Sequence, residues 1–139
     1  MSGFKIEFYE GINGKVYKTT SLGDTIPAVT SSDPNGGSVT FSAYSQMNFH
    51  DGPAGIAIVD PNDYVVEFIG YGGANFTATN GAASGRIPYD IGVYEPEDSG
   101  FTLSLQLDGV GRGVFDFKWN MPNYGTPGKI NEGQVFMCD

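Results

Sequence analysis

The sequence predicts an all-β fold, two antiparallel sheets packed as a sandwich, and three observations carry that prediction. Apolar and polar residues alternate with period two in several short runs, the pattern of half-buried strands. Turn formers separate those runs: Gly supplies 21 and Pro 8 of the 139 residues, a level suited to short strands and tight turns. No window suits a helix of any length, because Gly, Pro or β-branched residues interrupt every stretch. The length fits one domain spanning residues 1–139, and a compact domain of this size buries roughly two-thirds of its unfolded surface. Ten Phe, eight Tyr and one Trp stock its core.

The elements follow in order. Phe4-Lys5-Ile6-Glu7-Phe8 alternates as a strand with one wet face. Asn13-Gly14 offers a two-residue turn that tolerates positive φ, and Val16 and Tyr17 continue on the return strand. Residues 21–37 are rich in Ser, Thr, Asp, Pro and Gly and read as a long loop. Alternation resumes from Ser38 to Ala43. Gly55-Ile56-Ala57-Ile58-Val59 is almost continuously apolar, as a central strand covered on both faces requires. Asp60-Pro61-Asn62-Asp63 forms a turn, with Pro presetting φ and Asn tolerating a left-handed conformation. Val65 to Ile69 runs back as a strand, and residues 70–90 make a long connection. Phe101 to Leu107 places four apolar residues on one face. Asp108 to Gly113 reads as a glycine-rich hairpin loop, and Val114 to Trp119 as the next strand. In that strand Phe115, Phe117 and Trp119 share one face, a stripe that at this period reads as core, with a ligand platform as the alternative.

Composition excludes several kinds of work. Sixteen acidic and seven basic side chains give a net charge of −9. The basic residues are scattered from Lys5 to Lys129 with no two adjacent. Phosphate neutralisation needs clustered Lys and Arg, so nucleic acid and anionic membrane surfaces are disfavoured as partners. Cys138 is the single cysteine, so no internal disulfide forms, and it reads as a solvent-exposed tail thiol. Met1-Ser2-Gly3-Phe4 leads into a strand pattern without a signal peptide, and no run approaches the roughly 20 apolar residues of a membrane span. The expectation is a cytoplasmic chain, or a piece of a longer exported one.

No catalytic apparatus emerges. Any triad must use His50, the one histidine, in the turn sequence Phe49-His50-Asp51-Gly52-Pro53. Ser84 resembles a nucleophile elbow only loosely, since Gly81 stands one place too early and no helix follows. A transition-metal set is not available from one His and one Cys. For calcium, Asp60 and Asp63 are the nearest candidates, with Asp51, Asp90 or Asp108 as company at a sandwich end. No spacing matches a calcium loop, and solvated turn aspartates is the better reading. Sixteen acids offer many carboxylate pairs, which mean nothing for glycoside hydrolysis without distances. Gly11 to Lys15 and Gly125 to Lys129 lack phosphate-loop spacing, and Asn75-Phe76-Thr77 is a glycosylation sequon with no secretory signal to give it meaning. The expectation is a non-enzyme with no cofactor.

Several short motifs recur in a defined order. They are Gly55-Ile56-Ala57-Ile58-Val59-Asp60, Val65-Val66-Glu67-Phe68, Phe76-Thr77-Ala78-Thr79-Asn80-Gly81 and Asp90-Ile91-Gly92-Val93. Ser104-Leu105-Gln106-Leu107, Gly111, Asp116-Phe117-Lys118-Trp119, Thr126-Pro127-Gly128-Lys129-Ile130-Asn131 and Gly133-Gln134 follow. Together they resemble the lamin tail domain in its bacterial form, and with the first hairpin the likeness runs from Gly3 to Phe136. The resemblance implies an immunoglobulin-like β-sandwich that acts as an interaction or anchoring module with no catalytic residues of its own. Family members usually carry one further strand ahead of the position of Gly3-Phe4. Its loss implies an open sheet edge, filled by self-association or by a partner's strand.

The sequence therefore points to a protein-binding or self-associating module that works through a sheet edge or end loops. The alternative is a carbohydrate- or calcium-dependent binding domain using Tyr71, Phe76, Tyr89 and Tyr94. Hydrolysis through His50 trails both.

Overall fold

A computed structural model describes residues 3–22, 29–32, 38–40, 49–96, 102–126 and 129–137, with backbone alone at 29–32 and 38–40. The fold class is all-β. Among the described residues ten strands and one three-residue 3-10 turn make up the regular structure, and no helix is long and apolar enough to cross a membrane. The chain divides into two compact units, Met1–Ile26 with Asn48–Tyr94, and Pro27–Met47 with Glu95–Asp139.

The first unit is a five-stranded sheet in the order β2-β1-β5-β6-β7. Strands β1 (Lys5–Glu10) and β2 (Lys15–Ser21) form the expected antiparallel hairpin. The connection is four residues long rather than two, because Glu10 pairs with Lys15 and the Gly14 N–H closes the turn on the Glu10 carbonyl at 2.8 Å. Gly14 is required there: its φ is +70°, and a Cβ would lie 2.1 Å from the Thr77 carbonyl oxygen. Strands β5 (Ala54–Val59) and β6 (Val65–Tyr71) form the second expected hairpin, with β5 between β1 and β6 as its apolar run requires. In the 60–63 turn the left-handed residue is Asp63 (φ 61°) rather than Asn62, a conformation that Asp also tolerates. Strand β7 (Tyr89–Asp90) adds two residues parallel to β6.

Strand β1 departs from its half-buried reading. Residues 72–88 fold back over one face of the sheet, so Glu7 and Tyr9 on that face are buried along with Phe8 on the other. The core beneath that segment joins Tyr9, Ala57, Val59, Val65 and Phe68 of the sheet to Ala78 and Ala83 of the cover. Because β1 is paired on both sides, with β2 and with β5, it presents no open edge. The outer strands of this sheet are β2 and β7.

The second unit holds β3 (Val29–Ser32) paired with β4 (Ser38–Thr40), and a three-stranded sheet in the order β10-β8-β9. Strand β3 lies inside the stretch expected to be loop, since pairing with β4 outweighs its polar composition. Strand β8 (Leu103–Gly111) runs four residues beyond its expected end and takes most of the glycine-rich segment into the ladder. A 3-10 turn at Val114–Asp116 follows, so β9 (Lys118–Tyr124) begins four residues later than its alternation suggests. Strand β10 (Gln134–Phe136), not foreseen, pairs in parallel with the end of β8. Cys138, Phe101, residues 41–43 and Pro127-Gly128 lie outside the described residues.

Candidate functional site

Among the described residues of the second unit, the most exposed large apolar side chain stands at the hairpin tip. Phe115 is 95% and Val114 67% exposed, whereas Phe117, two residues on, is buried with its ring 5.2 Å from that of Phe136. The stripe of Phe115, Phe117 and Trp119 is thus broken: Phe117 is core, Trp119 is half-buried and Phe115 points to solvent. The cause is local. Asp116 Oδ2 accepts the main-chain N–H of Arg112 at 2.8 Å and of Gly113 at 2.9 Å, which winds the chain into a turn instead of a strand. Gly111 makes room, because a Cβ there would lie 2.1 Å from the Asp116 Cβ. The N–H groups of Gly113 and then Arg112 hold the Asp116 carboxyl below the usual carboxylate range. The two apolar residues are therefore displayed by a hydrogen-bonded turn.

The sheet edges are blunted. Strand β2 bulges at Tyr17, carries Lys15 and Lys18, and has its Val16 N–H taken by Asn80 Oδ1 at 2.8 Å. Strand β6 bulges at Val66, and β7 covers only Ile69 and Gly70. In the second unit β9 contains Pro122, which has no N–H, and β10 is three residues long. Bulges, lysines, proline and shortness each hinder addition of a further strand.

Inside the first unit lies a buried polar cluster. The Tyr9 hydroxyl donates to Glu7 Oε2 at 2.6 Å and accepts the Ala83 N–H at 3.1 Å. Glu7 Oε2 also accepts the Ala82 N–H at 2.8 Å, and Lys5 Nζ sits 3.1 Å from Oε1. Burial pushes the Glu7 carboxyl up, but the Tyr9 hydroxyl, the Ala82 N–H and Lys5 outweigh it and hold the pKa below its ordinary value. Burial, reinforced by the adjacent carboxylate, pushes the Tyr9 phenol well up. Gly81 packs so closely on the pair that a Cβ would fall 2.4 Å from Tyr9 Oη. This cluster ties the 78–86 turn to β1. The sequence signal for it is the acid and the phenol two residues apart on one strand face.

The calcium candidates are otherwise engaged. Asp60 Oδ1 accepts the N–H of Asn62 at 2.9 Å and of Tyr64 at 2.8 Å, and these bonds, led by Tyr64, hold its carboxyl low. Asp63 Oδ1 accepts Lys5 Nζ at 2.8 Å. No group of three or more His, Cys, Asp or Glu converges among the described residues. His50 stacks on Tyr17 with ring centroids 4.2 Å apart, its Nδ1 lies 3.7 Å from Glu10 Oε1, and its carbonyl accepts the Tyr71 hydroxyl at 2.8 Å. The Tyr17 hydroxyl is buried, and burial pushes its pKa up. Ser84 is exposed in the 81–85 turn. Of the aromatics expected to meet a sugar, Tyr71 is buried and Phe76 packs edge-on against Phe68 at 6.3 Å. Tyr89 and Tyr94 are 70% and 63% exposed. Asn75 and Thr77 of the sequon are exposed as well.

No family model matches the chain, and neither a curated protein nor a solved structure matches it.

Proposed function

We propose that this chain is a non-enzymatic interaction module, a lamin-tail-like and immunoglobulin-like β-sandwich, that binds another protein through its end loops with Phe115 as the anchor. The observation that carries this reading is Phe115, 95% exposed on a turn locked by Asp116. A bare aromatic on a pre-formed turn loses little conformational freedom on docking, which favours it as an interface hot spot. Between the two surfaces expected from sequence, the blunted edges favour the loops. The occupant is an apolar pocket of a different protein rather than a second copy, since two copies each carrying −9 repel.

The test places a photo-crosslinking phenylalanine analogue at position 115 and identifies the protein it captures. That protein, purified, binds the wild-type chain and loses at least about tenfold in affinity against Phe115→Ser. Equal affinity for the two chains overturns the reading. A light-scattering mass that rises to a dimer, and falls back in Phe115→Ser, replaces the foreign partner with self-association.

Carbohydrate binding is a second reading, supported by the exposed rings of Tyr89 and Tyr94. Aromatic faces of this kind stack on sugars. A glycan-array signal lost in the Tyr89→Ala and Tyr94→Ala chains, but kept in Phe115→Ser, moves the function to the first unit.

A further inference from the structure

Two Asn-Gly dipeptides meet where the 78–86 turn docks on the first hairpin. The Thr79 N–H donates to the Gly14 carbonyl at 2.8 Å, the Thr79 hydroxyl to the Asn13 carbonyl at 3.0 Å, and the Val16 N–H to Asn80 Oδ1 at 2.8 Å. Asn-Gly is chemically reactive because glycine, lacking a Cβ, lets its own amide nitrogen approach the preceding side-chain carbon. The surroundings of the two pairs differ.

At Asn13 the reaction is obstructed. The nucleophile, the Gly14 nitrogen, already donates its proton to the Glu10 carbonyl at 2.8 Å. The Asn13 Nδ2 donates to the Glu10 carboxylate, which holds the side-chain amide in place. At Asn80 the Gly81 N–H has no hydrogen-bond partner among the described residues. The electrophile is assisted as well: the Val16 N–H on Asn80 Oδ1 stands where negative charge develops when the carbonyl is attacked.

The geometry points to Asn80 as a self-modification site whose conversion releases the 78–86 turn. The Gly81 nitrogen gives its proton to solvent and bonds to Asn80 Cγ, and the Cγ–Nδ2 bond breaks with loss of ammonia. Water then adds to either carbonyl of the resulting imide and cleaves one C–N bond, leaving aspartate or isoaspartate. No oxidant or cofactor takes part. Isoaspartate inserts a methylene into the main chain just before Gly81, Ala82 and Ala83. Those residues have no slack, because Glu7 and Tyr9 hold the N–H groups of Ala82 and Ala83, and Gly81 is in contact with both side chains. The inference goes beyond the proposed binding role and does not depend on it.

The experiment holds the folded chain, and in parallel the urea-unfolded chain, at mildly alkaline pH, and maps both by peptide mass spectrometry that separates aspartate from isoaspartate. In the folded chain Asn80 converts at least about tenfold faster than Asn13, the factor that one ordinary hydrogen bond makes in a rate. In the unfolded chain the two convert alike. Aged folded protein then shows faster hydrogen exchange at Ala82 and Ala83, while exchange at Ala57 in β5 is unchanged. A folded chain that keeps its Asn80 amide, or loses that of Asn13 as quickly, overturns the site. Conversion at Asn80 with no change at Ala82 and Ala83 overturns the release of the turn.

Discussion

The Tyr9 hydroxyl donates to Glu7 Oε2 across 2.6 Å, with both side chains buried between the sheet and the segment that covers it. A carboxylate is tolerated there because every lone pair in use has a donor: a phenol, the Ala82 N–H and the Lys5 ammonium. The pair is the polar link between β1 itself and the 78–86 turn, which also bonds the rest of the first hairpin through Thr79 and Asn80 and closes on itself by bonds such as Ala78 N–H to the Arg86 carbonyl at 2.9 Å.

Replacing Glu7 with Gln keeps the shape and removes the charge. With its oxygen accepting from Tyr9 and Ala82, the amide turns its NH2 group onto the Lys5 ammonium, so the charge-assisted contact to Lys5 is lost and two donors face each other. The expected cost is about 1–3 kcal/mol, read as a lower urea midpoint with an unchanged slope. An unchanged midpoint would mean that the cluster is solvated and does not tie the turn down.

The pH dependence follows from the same pair. Glu7 is held below its ordinary 4.5 in the folded chain. Its contribution is therefore complete above the unfolded value and is lost as pH falls through the folded one. Tyr9 is raised above its ordinary 10.0, so its contribution is complete below that value and is lost as pH rises toward the folded one. Thermal melts across pH should fall off on both flanks. Glu7→Gln should flatten the acid flank, and Tyr9→Phe the alkaline one. An acid flank identical in wild type and Glu7→Gln would assign it to other carboxylates, such as Asp60 and Asp116, which are also held low.

Much of the fold is legible in the sequence because local signals and long-range pairing agree. The alternation of Phe4 to Phe8, the apolar run of Gly55 to Val59 and the Asp60 to Asp63 turn each mark an element that forms. The tip is less legible. Phe115, Phe117 and Trp119 keep period two whether the strand begins at Val114 or at Lys118, so alternation alone cannot find the boundary. What decides is Asp116, whose carboxylate captures two main-chain N–H groups, a competition that short acidic side chains regularly win against strands. The buried cluster hides for a different reason. Glu7 looks like the wet face of β1 until residues 72–88, distant in sequence, cover it. Strand β10 is three residues long and pairs in parallel, which leaves no hairpin signal to read.

Calcium should leave the melting temperature unchanged. A cation bound only by the folded state must raise it, but Asp60 Oδ1 already satisfies two main-chain N–H groups and Asp63 is paired with Lys5. Binding would have to displace these partners first. Calorimetry with and without millimolar calcium decides the matter, and an upward shift lost in Asp60→Asn would restore the calcium-dependent reading.

The tip separates binding from folding, because its two phenylalanines have opposite environments. Phe115 is almost wholly exposed and Phe117 is buried against Phe136. Phe115→Ser should change stability by no more than about 0.5 kcal/mol, as surface substitutions do. Phe117→Ala should cost about 3 kcal/mol, since it removes a buried ring. The binding assay should rank them the other way at temperatures where both chains are folded: loss with Phe115→Ser, retention with Phe117→Ala. Urea melts paired with affinity measurements on the captured partner test both rankings together. A large stability loss in Phe115→Ser would mean that the ring packs on the protein itself, and the anchor would then have to be sought elsewhere.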